Sequence, residues 1–363
     1  MKSWYNISII IAFLLAGCTA EQEAYDEGLQ QTDRMPVLFA AGNTEVTVTR
    51  AASASYMPAS SHFVCSMFFH AGANDNNDTE FYTETSPLIA DVNTFTSTLT
   101  IDGSLGNAIY DNEKSFYWQN RLNHVFLALA DNNRLDEAPE VTVGNKITYD
   151  LTRTDAMNGM ADQPDPMVAH VIMTPAGATA EANRVKLFFK HQFAQVQVNL
   201  KNAQDESVTI GATQIMSVEL LGVAENAYVA YAITPTGEVP ATTSEPINVD
   251  DAKYSQTKKE NPYGSSFQLF QRTTTPPGYL KSFEGIAFGT LQGIRITWKE
   301  SDQVDAVVHK ATFKGVKNLA LESGKKYIYN IELRRSLIAQ VKAEITDWVE
   351  DKTVYETDGT IQD

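Results

Sequence analysis

The chain has 363 residues, enough for two domains, and 43% are hydrophobic and 10% aromatic, which supports packed cores and excludes general disorder. Its 28 Lys and Arg against 45 Asp and Glu give a formal charge of -17; such a surface repels phosphate backbones and excludes a nucleic-acid partner. Two cysteines are too few for a disulfide framework or a cysteine-rich zinc site.

The first 17 residues read as an address. Lys2 precedes an apolar run from Ile7 to Leu15, broken only by Ser8. That is too short to span a bilayer as a helix and fits the apolar region of a signal peptide. The run ends in Leu15-Ala16-Gly17-Cys18. Small residues before a cysteine suit an extended chain in a peptidase groove, so cleavage is expected between Gly17 and Cys18. The Cys18 thiol would then carry a diacylglycerol. The sequence therefore looks like a bacterial lipoprotein held at the outer membrane through Cys18. Loss of residues 1–17 removes Lys2 alone among the charges and takes the formal charge from -17 to -18. Residues 18–34 are polar and without period, a solvated tether. Their acidic start, Glu21 and Glu23, is similar to surface-export signals of Bacteroidales lipoproteins.

From Met35 the dominant period is two, the mark of half-buried strands. Val46-Thr47-Val48-Thr49 alternates, and so does Phe95 to Ile101. Cys65 lies in the apolar run Phe63 to Phe69 and reads as a buried, inert thiol. A short helix is admitted around Ser86–Asp91. Strands are expected at 124–130, 147–151, 168–173, 185–189, 193–200 and 215–221. Further on they are expected at 267–270, 293–298, 306–313, 327–333 and 337–348. Turn signals separate them, among them Asp102-Gly103, Pro276-Pro277-Gly278 and Ser323-Gly324. Many strands at short spacing predict an all-β chain of two β-sandwich domains in tandem with few short helices. The small, polar stretch Pro175 to Asn183 places the boundary between an N-terminal domain at 35–180 and a C-terminal one at 184–348, with 349–363 as a tail. Thr234 to Pro262 reads as a long loop.

No catalytic constellation stands out. The six histidines form no His-x-x-x-His, and there is no phosphate-cradling glycine loop or Gly-x-Ser-x-Gly elbow. His124 and His191 sit in strand-like runs and read as structural. Asp75 to Glu80 alternates oxygen ligands as a calcium loop does. However, it has Glu80 where the loop needs glycine and Ser86 where it needs glutamate, so it reads as a solvated loop. The expectation is no enzyme, no cofactor and no metal. Trp118, Trp298 and Trp348 could each stack on a sugar or fill a core, and core is the commoner role.

An ordered set of motifs runs along the chain. After Leu15-Ala16-Gly17-Cys18 comes Val46-Thr47-Val48-Thr49-Arg50-Ala51. Mid-chain stands Val185 to Val198. Near the end, Gly324-Lys325-Lys326-Tyr327-Ile328-Tyr329-Asn330-Ile331-Glu332-Leu333 precedes Ala343-Glu344-Ile345-Thr346-Asp347-Trp348. Together these resemble the fimbrillins of Bacteroidales type V pili. The resemblance implies transthyretin-like sandwiches, a site at the outer membrane and then in the fimbrium, and a role in adhesion. It also implies removal of the N-terminal segment by an Arg-specific protease, here between Arg50 and Ala51. The departing strand would include Val37-Leu38-Phe39 and Val46–Thr49, and the C-terminal strand of another fimbrial subunit would fill its groove.

The tail can be tested by alternation. Val349, Thr353, Tyr355, Thr357 and Ile361 share one face, which Asp351 and Gly359 interrupt. This face is the candidate donor strand. Two alternatives stand beside a shaft subunit: a tip or accessory fimbrial adhesin that does not polymerise, and a surface glycan-binding lipoprotein of a carbohydrate-uptake system. A host or bacterial surface ligand is implied without being identified.

Overall fold

The computed structural model describes residues 35–43, 61–70, 88–97, 106–110, 115–131, 145–204, 209–234, 236–244, 266–314, 319–334, 338–347, 353–355 and 361–362. Cys18, Arg50, Ala51, the strand expected at 46–49, the Asp75–Glu80 patch, Trp348, Val349 and Thr357 lie outside them.

The described chain is almost wholly strand. Eight strands come first: β1 Phe39–Asn43, β2 Ser61–His70, β3 Leu88–Ser97, β4 Gly106–Tyr110, β5 His124–Asp131, β6 Asn145–Asp150, β7 Pro166–Met173 and β8 Val185–His191. Seven more follow: β9 Ala194–Asn202, β10 Ile215–Val223, β11 Asn226–Tyr231, β12 Thr243–Ser244, β13 Ser266–Gln268, β14 Phe270–Gln271 and β15 Lys281–Ala287. The last seven are β16 Gly289–Lys299, β17 Val308–Phe313, β18 Leu319–Leu321, β19 Lys325–Leu333, β20 Ile338–Asp347, β21 Thr353–Tyr355 and β22 Ile361–Gln362. Two single turns of 3-10 helix, Met160–Asp162 and Ala212–Gln214, are the only helical elements among the described residues. The helix admitted near Ser86–Asp91 is corrected: Leu88 onward is β3, paired along its length with β2. Gly278 and Gly324, read from turn signals, take positive φ of 86° and 73°, backbone that glycine reaches without a Cβ clash.

The first unit is a closed barrel in the order β1-β4-β3-β2-β5-β7-β8 and back to β1. One sheet thus curls until its edges meet. Seven is odd, so antiparallel alternation around the ring must fail once. It fails at the β1–β8 seam, which is parallel, while β1–β4 is antiparallel. β8 shows why the sequence pattern works here: Val185, Leu187 and Phe189 point into the barrel while Lys186 and Lys190 point out.

The second unit is a sandwich. One sheet runs β13-β10-β16-β17-β22 with β18 on β16, and the other runs β14-β15-β9-β19-β20-β21. Val196, Val198 and Leu200 of β9 meet Val218, Ile294, Ile296 and the fully buried Trp298 in one continuous core. Burying such side chains contributes roughly 1.5–3 kcal/mol each.

A third core joins the units. β5 is buried along its whole length, because a small sheet of order β12-β11-β6 covers its outer face. Val64, Phe68, Leu127 and Leu129 of the barrel pack there against Val229 and Tyr231. The Tyr231 hydroxyl donates to the Leu127 carbonyl at 2.9 Å and lies 3.0 Å from the Ser66 hydroxyl. Gln163 adds a tie to Ile286 of the same core: its amide donates to Ile286 O at 3.1 Å, and its carbonyl accepts from Ile286 N at 2.8 Å.

The expected boundary at 180–184 moves. β8 pairs with β7 and β1 and so belongs to the barrel. Residues 177–183 form the β7–β8 connection, which Asn183 staples by accepting from Gly177 N at 2.8 Å and donating to Gly177 O at 2.8 Å and Thr179 O at 3.0 Å. The passage to the sandwich occurs at Gln192 and Phe193, between β8 and β9.

Candidate functional site

The barrel is closed at the seam by β1, the one strand among the described residues that precedes Arg50 and Ala51 in the chain. β1 and the residues before it, Met35 to Leu38, form a strap across the barrel. Its backbone is paired throughout. Val37 N donates to Phe116 O at 2.9 Å, Trp118 N donates to Met35 O at 3.1 Å, and Val185 N donates to Leu38 O at 2.8 Å. Pro36 bridges Tyr117.

Alternate side chains point inward, as a strand requires. Val37 and Ala41 are fully buried and Phe39 is 1% exposed. The Phe39 ring sits edge-on to three others, with centroids 5.4 Å from Phe126 and 6.2 Å from both Tyr110 and Phe116. Edge-to-face packing of this kind adds about 0.5–1.5 kcal/mol per pair beyond burial. Nearby, Trp118 packs on Phe126 at 5.5 Å, and its indole N–H is buried without an acceptor.

Two side chains grip the strap by its carbonyls. The Tyr110 hydroxyl donates to Val37 O at 2.7 Å and accepts from Phe116 N at 3.1 Å. Burial pushes the Tyr110 phenol up, the Phe116 hydrogen bond opposing more weakly, so the hydroxyl stays a donor. Arg184 donates to Phe39 O and to Asn107 Oδ1, both at 3.0 Å, and pairs with Glu181 at 2.9 Å through its Nε. Because these grips act on main-chain oxygens, they read backbone position and not sequence. Both residues escaped the sequence reading: Tyr110 lies in β4, which no alternation revealed, and Arg184 lies just before the β8 run.

At the other end of the molecule the tail lies on the sandwich. Thr353 and Tyr355 belong to β21, whose residues pair antiparallel with Ala343 to Ile345 of β20. Ile361 belongs to β22 and pairs with Phe313 of β17. Of the candidate donor residues, these three are therefore seated on the edges of their own unit.

The remaining candidates resolve into packing. Cys65 is buried and free, and burial pushes its thiol up, the reverse of what a nucleophile needs. Trp118 and Trp298 are 5% and 0% exposed, so neither offers a face to a sugar. His124 is buried between Phe69 and Phe126, accepts from Gln119 N at 3.2 Å and lies 2.9 Å from Leu122 O. Burial drives its pKa down to about 4, opposed by the Leu122 bond. His191 Nδ1 lies 2.8 Å from Asp165. Among the described residues no group of three or more His, Cys, Asp or Glu is placed to hold a metal. One cavity of about 450 Å³ opens beside β10 and β13. Two of its charged residues are engaged: Arg153 donates to Gln268 O and Leu269 O and lies over Phe270, while Glu219 pairs with Arg295 at 3.2 Å.

These features define a two-unit all-β protein whose barrel is completed by its own N-terminal strand. The chain belongs to the fimbrillin-like family, whose model matches residues 49–348. The match begins after β1 and ends before β21. The chain is similar in fold to a protein of Bacteroides uniformis ATCC 8492 assigned to cell adhesion, at 16% identity and TM-score 0.52, over 86% of this chain and 99% of that one. It is also similar to a Bacteroides ovatus ATCC 8483 protein assigned to cell adhesion, at 14% identity and TM-score 0.53, over 88% and 99% of the two chains. The C-terminally truncated tip fimbrial protein Mfa3 of Porphyromonas gingivalis aligns at 14% identity and TM-score 0.46, over 86% and 99%. No curated protein matches the chain. Family membership supports the role of a subunit of a cell-surface fimbrium, associated with other fimbrial subunits.

Proposed function

We propose that the chain is exported as a lipoprotein carried on Cys18, is cut by an Arg-specific protease between Arg50 and Ala51, and is assembled into an adhesive fimbrium by strand exchange. The observation that carries this reading is the seam. Among the described residues β1 is the one strand bridging β4 and β8, and Arg50 follows it in the sequence, ahead of β2. Cleavage there would detach residues 35–50 and leave a slot with two unpaired strand edges and an apolar floor. Such a slot favours capture of another strand, with main-chain hydrogen bonds for strength and alternate side chains for register. The intact precursor keeps the slot filled and is protected from premature pairing.

A second reading is favoured by one observation: β21 and β22 lie on their own sandwich. A subunit whose tail stays there would receive a strand without donating one, as a tip or accessory adhesin. The burial of Trp118 and Trp298 weighs against the glycan-binding alternative.

The test uses residues 19–363. Treatment with an Arg-specific protease is expected to give a new N-terminus at Ala51 and SDS-resistant ladders visible as filaments by electron microscopy. Cleavage without ladders would select the accessory reading. Resistance at Arg50 would remove the proteolytic step.

A further inference from the structure

Asn158-Gly159 is the one Asn-Gly pair in the sequence. It stands in the connection between β6 and β7, with Asn158 exposed. Glycine is demanded in a turn where φ is positive or where another part of the chain comes close. Neither holds here. Gly159 is extended, at φ -166° and ψ 179°, and no atom beyond its chain neighbours lies within 4 Å of the point a Cβ would take. What the missing side chain leaves open is the approach of the Gly159 nitrogen to the Asn158 side chain. That side chain is held by a long contact, its amide lying 3.5 Å from Ala156 O.

The pair heads the segment that ties the units together. Asp162 closes the turn at two points: its carboxylate accepts from Asn158 N at 2.6 Å, and its own N–H donates to Gly159 O at 3.0 Å. Met160 packs against both the sandwich core and the joining core, and its sulfur accepts from Gln195 Nε2 at 3.3 Å. Gln163 is fully buried and makes the two hydrogen bonds to Ile286. An exposed, reactive pair thus leads directly into the buried tie.

We propose that Asn158 is a site of spontaneous deamidation, and that its isoaspartyl product loosens the Gln163–Ile286 tie. The Gly159 nitrogen gives its proton to solvent base and attacks Asn158 Cγ. The new C–N bond replaces the bond to Nδ2, which leaves as ammonia. Water then opens the cyclic imide. Attack at Cγ gives aspartate. Attack at the main-chain carbonyl carbon gives isoaspartate, whose chain runs through Cβ and is longer by one carbon, about 1.5 Å of bond. That carbon enters between Asn158 N and Gly159 O, the two groups that Asp162 holds. Keeping both bonds then strains the turn, and the shift passes through Met160 to Gln163. The step needs only water and base and does not depend on strand exchange.

Ageing tests the proposal. Residues 19–363 are held in mildly alkaline buffer made with heavy-oxygen water and sampled by tryptic mass spectrometry. Thr154 to Arg184 form one peptide, which carries Asn158 together with Asn183. Asn183 is buried and bonded to its own loop, an internal control. Asn158 is expected to take up solvent oxygen at least tenfold faster than Asn183, and an isoaspartyl methyltransferase should label the product. Gly159→Ala, which the open space accommodates, should slow the conversion at least tenfold and leave the fold intact. Ile286 N donates to Gln163, so its hydrogen exchange reports the tie. That exchange should rise at least tenfold in the aged chain and stay slow in aged Gly159→Ala. Asn158→Asp adds the charge without the carbon and should also stay slow. Conversion at Asn158 no faster than at Asn183 would overturn the site. Conversion with Ile286 still slow would overturn the loosening, and an Asn158→Asp chain that matches the aged one would overturn the extra carbon as its cause.

Discussion

The two ends of the described chain make opposite uses of a short strand. β1 and the strap before it close a ring: β1 pairs on both sides, Val37, Phe39 and Ala41 are buried, and Tyr110 and Arg184 grip the carbonyls of Val37 and Phe39. β21 and β22 sit on the rims of the sandwich, where β21 pairs with β20 and β22 with β17. A strand at a rim can leave and expose little, whereas a strand that closes a barrel leaves two open edges and an apolar floor. On the strand-exchange reading proposed above, the difference puts the receiving seat in the barrel and not in the larger core of the sandwich.

Truncating the closing strand tests this most severely. Phe39→Ala is expected to cost about 3–5 kcal/mol, the range for a buried aromatic, and Trp298→Ala in the sandwich about the same. Their consequences should differ. Phe39→Ala frees the strap, so cleavage by an Arg-specific protease at Arg50 should quicken at least tenfold. Trp298→Ala should lower the calorimetric transition without that gain. Equal protease sensitivity in the two variants would erase the distinction.

The barrel should also be the acid-sensitive unit. His124 is neutral in its cage, with a pKa lowered to about 4 against an ordinary value near 6.5. The unfolded chain therefore binds a proton that the folded chain refuses between those values. Its contribution is full above pH 6.5 and falls as the pH drops toward 4, by up to about 3 kcal/mol. Denaturant titrations across this window should show a stability slope that His124→Asn reduces by up to one proton. An unchanged slope would assign the acid sensitivity to other groups.

Next in size are the carbonyl grips. Tyr110→Phe keeps the ring against Phe39 but leaves Val37 O and Phe116 N without their partner, an expected loss of about 1–3 kcal/mol. The cost should appear as faster hydrogen exchange of the strap and not of the sandwich amides. Exchange that rises equally in both units would make the grip a general stabiliser.

The parts of this architecture that were legible in the sequence are the strands with one wet face and the continuous apolar run of β5, expected at 124–130 and found at His124–Asp131. β8 and β19 alternate cleanly in burial and were read within two residues of their bounds. β2 and β5 carry apolar side chains on both faces because the small β12-β11-β6 sheet covers them, so alternation gives no period there. β1 reads Phe-Ala-Ala-Gly-Asn, poor strand material, and is a strand because β8 pairs all five of its residues and β4 pairs Phe39 to Ala41. The unit boundary was hidden for a related reason. The Pro175 to Asn183 composition that suggests a linker belongs to a loop stapled by Asn183, while the true passage at Gln192 and Phe193 carries no turn signal. Composition reports that chain is exposed and not what lies on either side of it. Tyr110 and Arg184 were invisible because their role exists only once β4 and β8 flank β1.

The smallest expected effect is the most decisive for the tail. Among the described residues, deleting 349–363 removes the short rim strands β21 and β22. In the uncut chain it should cost less than about 1 kcal/mol, in the range of ordinary surface changes, and leave the thermal transition nearly where it was. In the protease-treated protein the same deletion should abolish ladders. A near-silent deletion before cleavage with a complete loss after it is the signature of a segment kept for a neighbour. If the deletion instead destabilises the uncut chain as much as Phe39→Ala does, β21 and β22 are integral to the sandwich. The tail would then have no spare strand to donate, and the subunit would end a filament without extending it.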